Sequence, residues 1–138
     1  MDEQADNSAL AGVAHDLSLW QRAQTLQQRA ARSGFTWPAI GPVLDKLDEE
    51  VGELRDECVA ATPDAGRIED ELGDVLFVLV NLARHAHVDD ARALRRANAK
   101  FERRFRAMEA LAADDGTALD RLPLKAQEAL WRRAKQAE

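Results

Sequence analysis

The sequence predicts an all-α fold, an antiparallel bundle of four main helices followed by a short C-terminal helix. Three observations lead to this prediction. The 138 residues include only 7 glycines and 4 prolines, fewer than a loop-rich or sheet-rich domain would carry. Apolar residues recur at helical spacing through most of the chain, and no run alternates as a half-buried strand does. The length is that of one ordinary domain.

The first helix is expected to follow an N-terminal tail. Residues 1–15 carry no sustained periodicity and are predicted to be flexible, whereas residues 16–138 are predicted to form the folded domain. Asp16 and Ser18 are both good N-cap residues, and Gly34 stands where a C-cap glycine is expected.

The second and third helices are predicted over residues 39–61 and 67–84, with TPDAG (62–66) between them. One apolar stripe at i, i+3 and i+4 spacing is expected to be the buried face of the second helix. It contains Leu44, Leu47, Val51, Leu54 and Cys58. The third helix is apolar on nearly all sides after Leu72 and is therefore predicted to be the central element.

The fourth helix is predicted over residues 90–112. It is amphipathic, and its apolar face contains Leu94, Ala97, Phe101, Phe105, Met108 and Ala112. The segment DDGTALDRLP (114–123) ends it, and Pro123 can open a short last helix that runs to Lys135.

Composition and charge exclude several classes of protein. The only cysteine, Cys58, cannot form an internal disulfide, and no secretory leader opens the chain, so we expect a cytoplasmic location. The longest apolar run, Val75–Val80, is too short to span a membrane. The net charge of −6 argues against binding of a nucleic-acid polymer. Residues 92–138 nevertheless carry 12 Lys or Arg against 7 acids, so this part can meet an anion.

Two carboxylate pairs carry the strongest functional signal. Glu50 and Glu53 share one face of the second helix, and Glu71 and Asp74 repeat the i, i+3 arrangement on the third. In antiparallel neighbours joined by TPDAG, both pairs lie at similar distances from the turn and would face each other. Converging carboxylates repel unless a cation lies between them, and all-oxygen ligation favours Mg²⁺ or Mn²⁺.

The simpler alternative is that these acids only solvate a helix face or favour the helix dipole. This explanation suits Glu69 and Asp70, at the start of the third helix. It does not suit Asp74, which precedes the apolar run VLFVLV (75–80) and is expected to enter the interior with Glu71. The metal-site interpretation is therefore favoured. A diiron site is not, because no Glu-x-x-His pair is present.

Basic side chains of the fourth helix could complement such a metal site. Lys100 and Arg104 are i, i+4 neighbours beside the apolar stripe, where long cationic side chains can reach over a cleft. Metal ions combined with flanking cations suit a polyphosphate ligand.

These motifs resemble those of a known family. EEVGE (49–53), a gap of 17 residues and ELGD (71–74) are similar to the EExxE…ExxD motif of the MazG-like nucleoside triphosphate pyrophosphohydrolases. The flanking segments LQQRAARSGFTWP, VLVNLARH and ANAKFERRF also resemble the C-terminal catalytic domain of the two-domain bacterial members. The resemblance extends from about Leu19 to Lys135, so residues 16–138 are expected to be a MazG-like catalytic domain.

The resemblance implies a Mg²⁺-dependent all-α enzyme that converts nucleoside triphosphates to monophosphates and pyrophosphate, and house-cleaning of the nucleotide pool is its expected role. Glu50, Glu53, Glu71 and Asp74 would be metal ligands, and Glu49 is the candidate general base. Six further residues are expected on the substrate side: Arg67, Asn98, Lys100, Arg104, Trp131 and Lys135. For Trp131, packing of the last helix competes with base stacking, and for Asn98 capping or burial competes with site support.

The same acids suit two alternative functions. A narrow dUTPase-like enzyme would use the same metal motif, and a non-catalytic helical adaptor would use the acids only to bind cations or a basic partner. The family resemblance also implies a homodimer or tetramer. Magnesium-dependent release of pyrophosphate from a panel of nucleotides separates these alternatives.

Overall fold

The computed structural model describes residues 5–138 and contains helices but no strands within that range. The α-helices in chain order are α1 (Leu19–Arg32), α2 (Ile40–Cys58), α3 (Ala65–His85), α4 (Asp90–Asp114) and α5 (Leu124–Gln136). A single turn of 3₁₀-helix, Leu119–Arg121, precedes α5. The predicted all-α class is confirmed, and the predicted helix ends lie within three residues of the observed ones.

The helix ends follow from local sequence. Ser18 caps α1 in a capping box, since its hydroxyl accepts the Gln21 backbone N–H at 3.2 Å and the Gln21 side chain accepts the Ser18 N–H. Gly34 follows α1 with a φ of +87°, a left-handed conformation that glycine adopts without steric cost. Asp64 caps α3 through its carboxylate, and Pro123 is the N-cap of α5.

The chain divides into two compact units, one up to Asp90 and the other from Ala91 to Glu138. In the first unit α3 contacts both α1 and α2, as expected for the central helix. The six-residue connection 59–64 makes α2 and α3 an antiparallel pair. The acids predicted on these two helices therefore lie in one unit.

The buried face of α2 differs from the predicted stripe. Leu44 and Val51 are 45% and 38% exposed, and Cys58 is also exposed, so the prediction that they are buried was wrong. The face that turns inward contains Val43, Leu47, Glu50 and Leu54, which are buried or half-buried. Leu47 and Leu54 belong to both faces, so the observed face is rotated from the expected stripe by about 50°, half of the step between consecutive residues. This rotation carries Glu50 into a core position.

The residues just before α1 contact that helix. Val13 is buried, and the Arg22 and Arg29 guanidinium groups donate to the backbone carbonyls of Ala14 and Ala11 at 3.0 Å each. These contacts hold the backbone around residues 9–14 against α1. The predicted tail boundary at residue 15 stays a prediction, and residues 1–4 lie outside the described range.

The second unit has its own small core. It is formed by Met108, Ala112, Leu119, Leu130 and Ala134, with Trp131 packed against it. Of the predicted apolar face of α4, only the C-terminal end is buried, whereas Leu94, Phe101 and Phe105 are 48%, 59% and 40% exposed.

Across residues 5–138, none of the helices combines the length and the apolar character needed to cross a lipid bilayer.

Candidate active site

Three carboxylates converge between α2 and α3. Glu50 and Glu53 lie one turn apart on α2, and Glu71 faces them from α3. Each offers a carboxylate oxygen, and these oxygens all lie within 4.8 Å of one another. We call Glu50, Glu53 and Glu71 the acidic cluster. The structure therefore brings together three of the four predicted metal ligands.

The acidic cluster is only partly compensated by the protein. Glu50 is 7% exposed, and its Oε2 atom, like Oε2 of Glu71, is buried without a hydrogen-bond partner in the described part of the chain. Burial of an unpaired carboxylate oxygen costs free energy unless a cation or a donor reaches it. The negative charge of Glu50 raises the pKa of the Glu53 carboxyl, and desolvation and Glu71 add to the same effect.

A lysine that the sequence analysis missed contacts the cluster. Lys46 Nζ lies 3.0 Å from Glu50 Oε1 and 3.3 Å from Glu49 Oε1. Its hydrogen bonds to Glu50 and then Glu49 raise the pKa of the Lys46 ammonium. The signal was present in the sequence, because Lys46 precedes these acids by four and three residues on one helix. One cation cannot balance three carboxylates, so negative charge is left over.

Asp74 and Glu49 occupy the border of the cluster. Asp74 is an exposed residue, so its expected entry into the interior was wrong, and it does not belong to the close group of three oxygens. It lines the adjacent cavity together with Glu50. The Glu49 side chain is 57% exposed and held by Lys46. The predicted roles of Asp74 as a metal ligand and of Glu49 as the general base stay predictions.

A cavity of about 680 Å³ opens beside the cluster, within the first unit. Its walls are largely apolar, and Lys46, Glu50 and Asp74 line one part of it. Three polar side chains that the sequence analysis did not select also line it: Gln27, Asn81 and Arg84. The volume and the mixture of apolar walls with a few polar groups are typical of a small-molecule site.

Arg84 forms hydrogen bonds with two other polar residues that line this cavity. Its Nη2 donates to Asn81 Oδ1 at 2.9 Å and to Thr36 Oγ1 at 3.0 Å. The neighbouring His85 has a lowered pKa, because burial and then the charges of Arg84 and His87 disfavour its protonated form. No spacing rule in the sequence reveals this group, since Thr36 and Arg84 come from segments far apart in the chain.

Two of the residues predicted on the substrate side, Arg104 and Trp131, contact each other within the second unit. The Arg104 side chain is 13% exposed; it donates to both carboxylate oxygens of Glu138, at 2.9 and 2.8 Å, and lies 5.4 Å from the centre of the Trp131 ring. Trp131 also packs against Phe101, with ring centroids 5.7 Å apart. Asn98, Lys100 and Lys135 are exposed. The packing alternative for Trp131 is thus observed, and its base-stacking role stays a prediction.

Arg67 lies in the first turn of α3. Its side chain is exposed, and its backbone N–H donates to the capping carboxylate of Asp64 at 3.0 Å. Its role toward substrate stays a prediction.

The acidic cluster fits a hard divalent cation. It supplies oxygen ligands only, from two helices, and two of its oxygens are buried without a partner. Mg²⁺ and Mn²⁺ prefer such oxygen ligands, whereas a zinc or copper site would include nitrogen or sulfur.

Comparison with known proteins agrees with this site. Residues 42–108, which include both carboxylate pairs, match the family model described as "MazG nucleotide pyrophosphohydrolase domain". The chain is 41% identical over 136 residues, 99% of its length, to the Escherichia coli K12 protein named "Nucleoside triphosphate pyrophosphohydrolase". It is 39% identical over 113 residues, 82% of its length, to the Thermotoga maritima protein named "Nucleoside triphosphate pyrophosphohydrolase/pyrophosphatase MazG".

These matches cover only part of each relative. The chain spans 52% of the Escherichia coli protein and 42% of the Thermotoga maritima protein. The predicted resemblance is confirmed, and the chain belongs to the MazG nucleotide pyrophosphohydrolase family.

Proposed function

We propose that this protein hydrolyses nucleoside triphosphates to nucleoside monophosphates and pyrophosphate with the help of Mg²⁺. The observation that carries the proposal is the acidic cluster, whose buried unpartnered oxygens lie next to a cavity of ligand size. The names of the two relatives agree with this activity. House-cleaning of the nucleotide pool, in a cytoplasmic location, is the corresponding cellular role.

In this proposal Glu50, Glu53 and Glu71 hold Mg²⁺ or Mn²⁺, with Asp74 as the predicted fourth ligand. A bound ion would supply charge neutralisation for phosphate oxygens and would acidify nearby water. Water attacks the α-phosphorus, the bond to the oxygen bridging the α- and β-phosphorus breaks, and pyrophosphate leaves. Glu49 accepts the water proton, and its exposed position leaves it able to pass that proton to solvent. The ion pairs that Lys46 forms with Glu49 and Glu50 keep both carboxylates oriented.

The test is a direct assay of products. Purified protein is incubated with Mg²⁺ and each common ribo- and deoxyribonucleoside triphosphate, dUTP included, and pyrophosphate and monophosphate are measured. Equal amounts of both products support the proposal, and their loss with a chelator supports the cation. Release of inorganic phosphate instead, or no turnover of any nucleotide, contradicts it. Turnover of dUTP alone would support the dUTPase-like alternative.

We also propose that the chain self-associates into a dimer or tetramer. Leu72, Leu76 and Leu79 form an apolar stripe along α3 and are 45%, 41% and 39% exposed, and Leu44 and Val51 on α2 are similarly exposed. Such contiguous apolar surfaces are rarely left in water. Sedimentation velocity should give at least a dimer, and Leu76→Glu should shift it toward monomer. Leu124→Glu, at an exposed leucine of the other unit, is the matched control; a monomeric wild type contradicts the proposal.

A further inference from the structure

Lys46 is a positive charge that the fold places directly beside the acidic cluster. Its Nζ atom lies 3.0 Å from Glu50 Oε1 and 3.3 Å from Glu49 Oε1. Glu50 is one of the three acids that hold the cation in the proposed function, so the ammonium group and the cation would share a carboxylate. Lys46 therefore affects how strongly this carboxylate can attract a divalent ion.

The backbone of α2 keeps Lys46 close to Glu50 whether or not an ion is bound. The two residues are four apart on one continuous helix, so their Cβ atoms are about 5 to 6 Å from each other. The lysine side chain can exchange its hydrogen-bond partners, but it stays attached to the turn of α2 that precedes Glu50. A cation held by Glu50 would therefore have a like charge nearby.

This pair of charges is only partly open to water. Glu50 is a buried residue, and the Lys46 side chain is 33% exposed. Two charges near a protein surface interact about four times more strongly than they do in bulk water at the same separation. Dissolved salt also screens partly buried charges less than exposed ones. The effect of Lys46 on a neighbouring cation should therefore be large enough to measure.

The direction of the effect follows from the signs of the charges. Carboxylates attract a divalent cation, whereas a neighbouring ammonium group repels it. An ion that used Glu50 Oε1 would also have to weaken the contact of this oxygen with Lys46. Orientation of the Glu50 carboxylate by Lys46 acts in the opposite direction. Because burial already restricts the Glu50 side chain, we expect the repulsion to exceed the benefit of orientation.

We propose that Lys46 is a built-in competitor of the divalent cation, which lowers the affinity of the acidic cluster for Mg²⁺ in the protein without substrate. This inference rests on the proposed function and deepens it, because it names a residue that sets how tightly the ion is held. Three carboxylates and one ammonium group leave enough negative charge to attract the ion. That charge is smaller than it would be without Lys46.

The test measures binding of Mg²⁺ by itself and does not depend on turnover. Wild-type protein and Lys46→Met, which keeps a long side chain and removes its charge, are titrated with MgCl₂ in a calorimeter at constant ionic strength. We expect the Kd for Mg²⁺ to be about 10-fold lower in Lys46→Met. A structural defect would weaken binding instead, so tighter binding identifies an effect of charge. An equal or higher Kd in Lys46→Met overturns the inference and leaves the proposed function intact.

Two control variants separate the charge at this position from other causes. Lys46→Arg keeps the positive charge and should bind Mg²⁺ no more tightly than the wild type does. Arg55→Met removes a charge from an exposed residue of the same helix, nine residues further on and about 180° around it. It should leave the Kd unchanged. A decrease in either control that equals the one in Lys46→Met overturns the inference, since the ammonium group beside Glu50 would not be its cause.

The same titrations distinguish failure of the inference from failure of the proposed function. Absence of saturable Mg²⁺ binding from both the wild type and Lys46→Met contradicts the cation site itself, and the inference with it. Circular dichroism monitors folding, because loss of Lys46 increases the repulsion among the acids. If Lys46→Met does not fold, Lys46→Gln takes its place, since its neutral amide can still donate to Glu50, and the same decrease of Kd is expected.

Discussion

The acidic cluster of α2 and α3 and the basic side chain of Arg104 on α4 differ in how their charges are paired. Within residues 5–138, Glu50 and Glu71 each keep a buried oxygen without a partner, and Lys46 is the only cation that forms an ion pair with Glu50. Arg104 instead binds both oxygens of Glu138 and lies against Trp131. Its pairing holds the pKa of the Glu138 carboxyl at about 2, far below its usual value.

The acidic cluster can therefore gain a charged partner, whereas Arg104 can only exchange Glu138 for another one. A cation entering the acidic cluster supplies a partner that the protein lacks, so its binding should have a large effect on stability and activity. A phosphate that reaches Arg104 must first replace Glu138, so the net gain is the difference between two similar ion pairs.

Neutralising one acid of the cluster should nearly abolish turnover. Glu53→Gln keeps the shape of the side chain but removes one charge from the cation site, and we expect kcat to fall about 100-fold or more. Glu69→Gln, on an exposed residue of α3, is the matched control and should retain wild-type turnover. Pyrophosphate release measures both. Wild-type activity in Glu53→Gln would remove the acidic cluster from the reaction.

Removing Arg104 should have a smaller effect, mainly on substrate binding. Arg104→Ala is expected to raise KM about 10-fold, because a charge-assisted contact to phosphate is lost, with less change in kcat. Glu138→Gln frees Arg104 from its partner and should lower KM or leave it unchanged. Arg106→Ala is the control, because Arg106 forms an exposed ion pair with Glu102 on the surface of α4. A KM unchanged in Arg104→Ala would contradict its predicted phosphate contact.

Magnesium should stabilise the fold through the cluster without any substrate. A ligand that binds only the folded state, at 100 times its Kd, adds about 2.7 kcal/mol to the free energy of unfolding, which corresponds to a rise of several degrees in Tm. Thermal melts with chelator and with Mg²⁺ measure the shift. In Glu71→Gln the shift should be smaller, and in Arg104→Ala it should equal that of the wild type. An equal shift in Glu71→Gln would place the ion elsewhere.

Without divalent ions, Glu53 should weaken the fold as pH rises. Its pKa in the folded state is raised, first by the charge of Glu50, so the folded protein binds this proton more tightly than the unfolded chain does. The contribution of Glu53 to stability is therefore fully present below its unfolded pKa and is lost as pH rises through the folded one. Urea melts at several pH values should show this loss in the wild type and a reduced loss in Glu53→Gln. Identical pH profiles would contradict it.

Much of the fold was predictable from local sequence. The capping box at Ser18, the positive-φ glycine at 34 and Pro123 at the start of α5 fixed helix ends that the structure reproduces. Helix formation depends on hydrogen bonds between residues four apart, so nearby sequence is sufficient to locate it. The motif spacing likewise predicted that acids from α2 and α3 would meet.

The faces of the helices were less predictable. Periodicity placed Leu44 and Val51 inside, whereas the structure buries Val43 and Glu50. Sequence pattern locates an apolar arc but leaves its orientation uncertain by about half of the 100° step between residues, since Val43 at one edge and Val51 at the other are both apolar. The choice depends on which side of α2 meets α3, and contacts between helices decide that.

By itself the sequence determined the helices, the family and the acids that can hold a cation. Which charges remain unpaired depends on how the helices pack against one another. The tertiary structure bound Arg104 to Glu138, placed Lys46 against Glu50, and joined the Gln27 amide nitrogen to the Phe77 carbonyl 50 residues away. The physical reason is that helix propensity acts over a few residues, whereas the pairing of a polar group depends on every segment that packs around it.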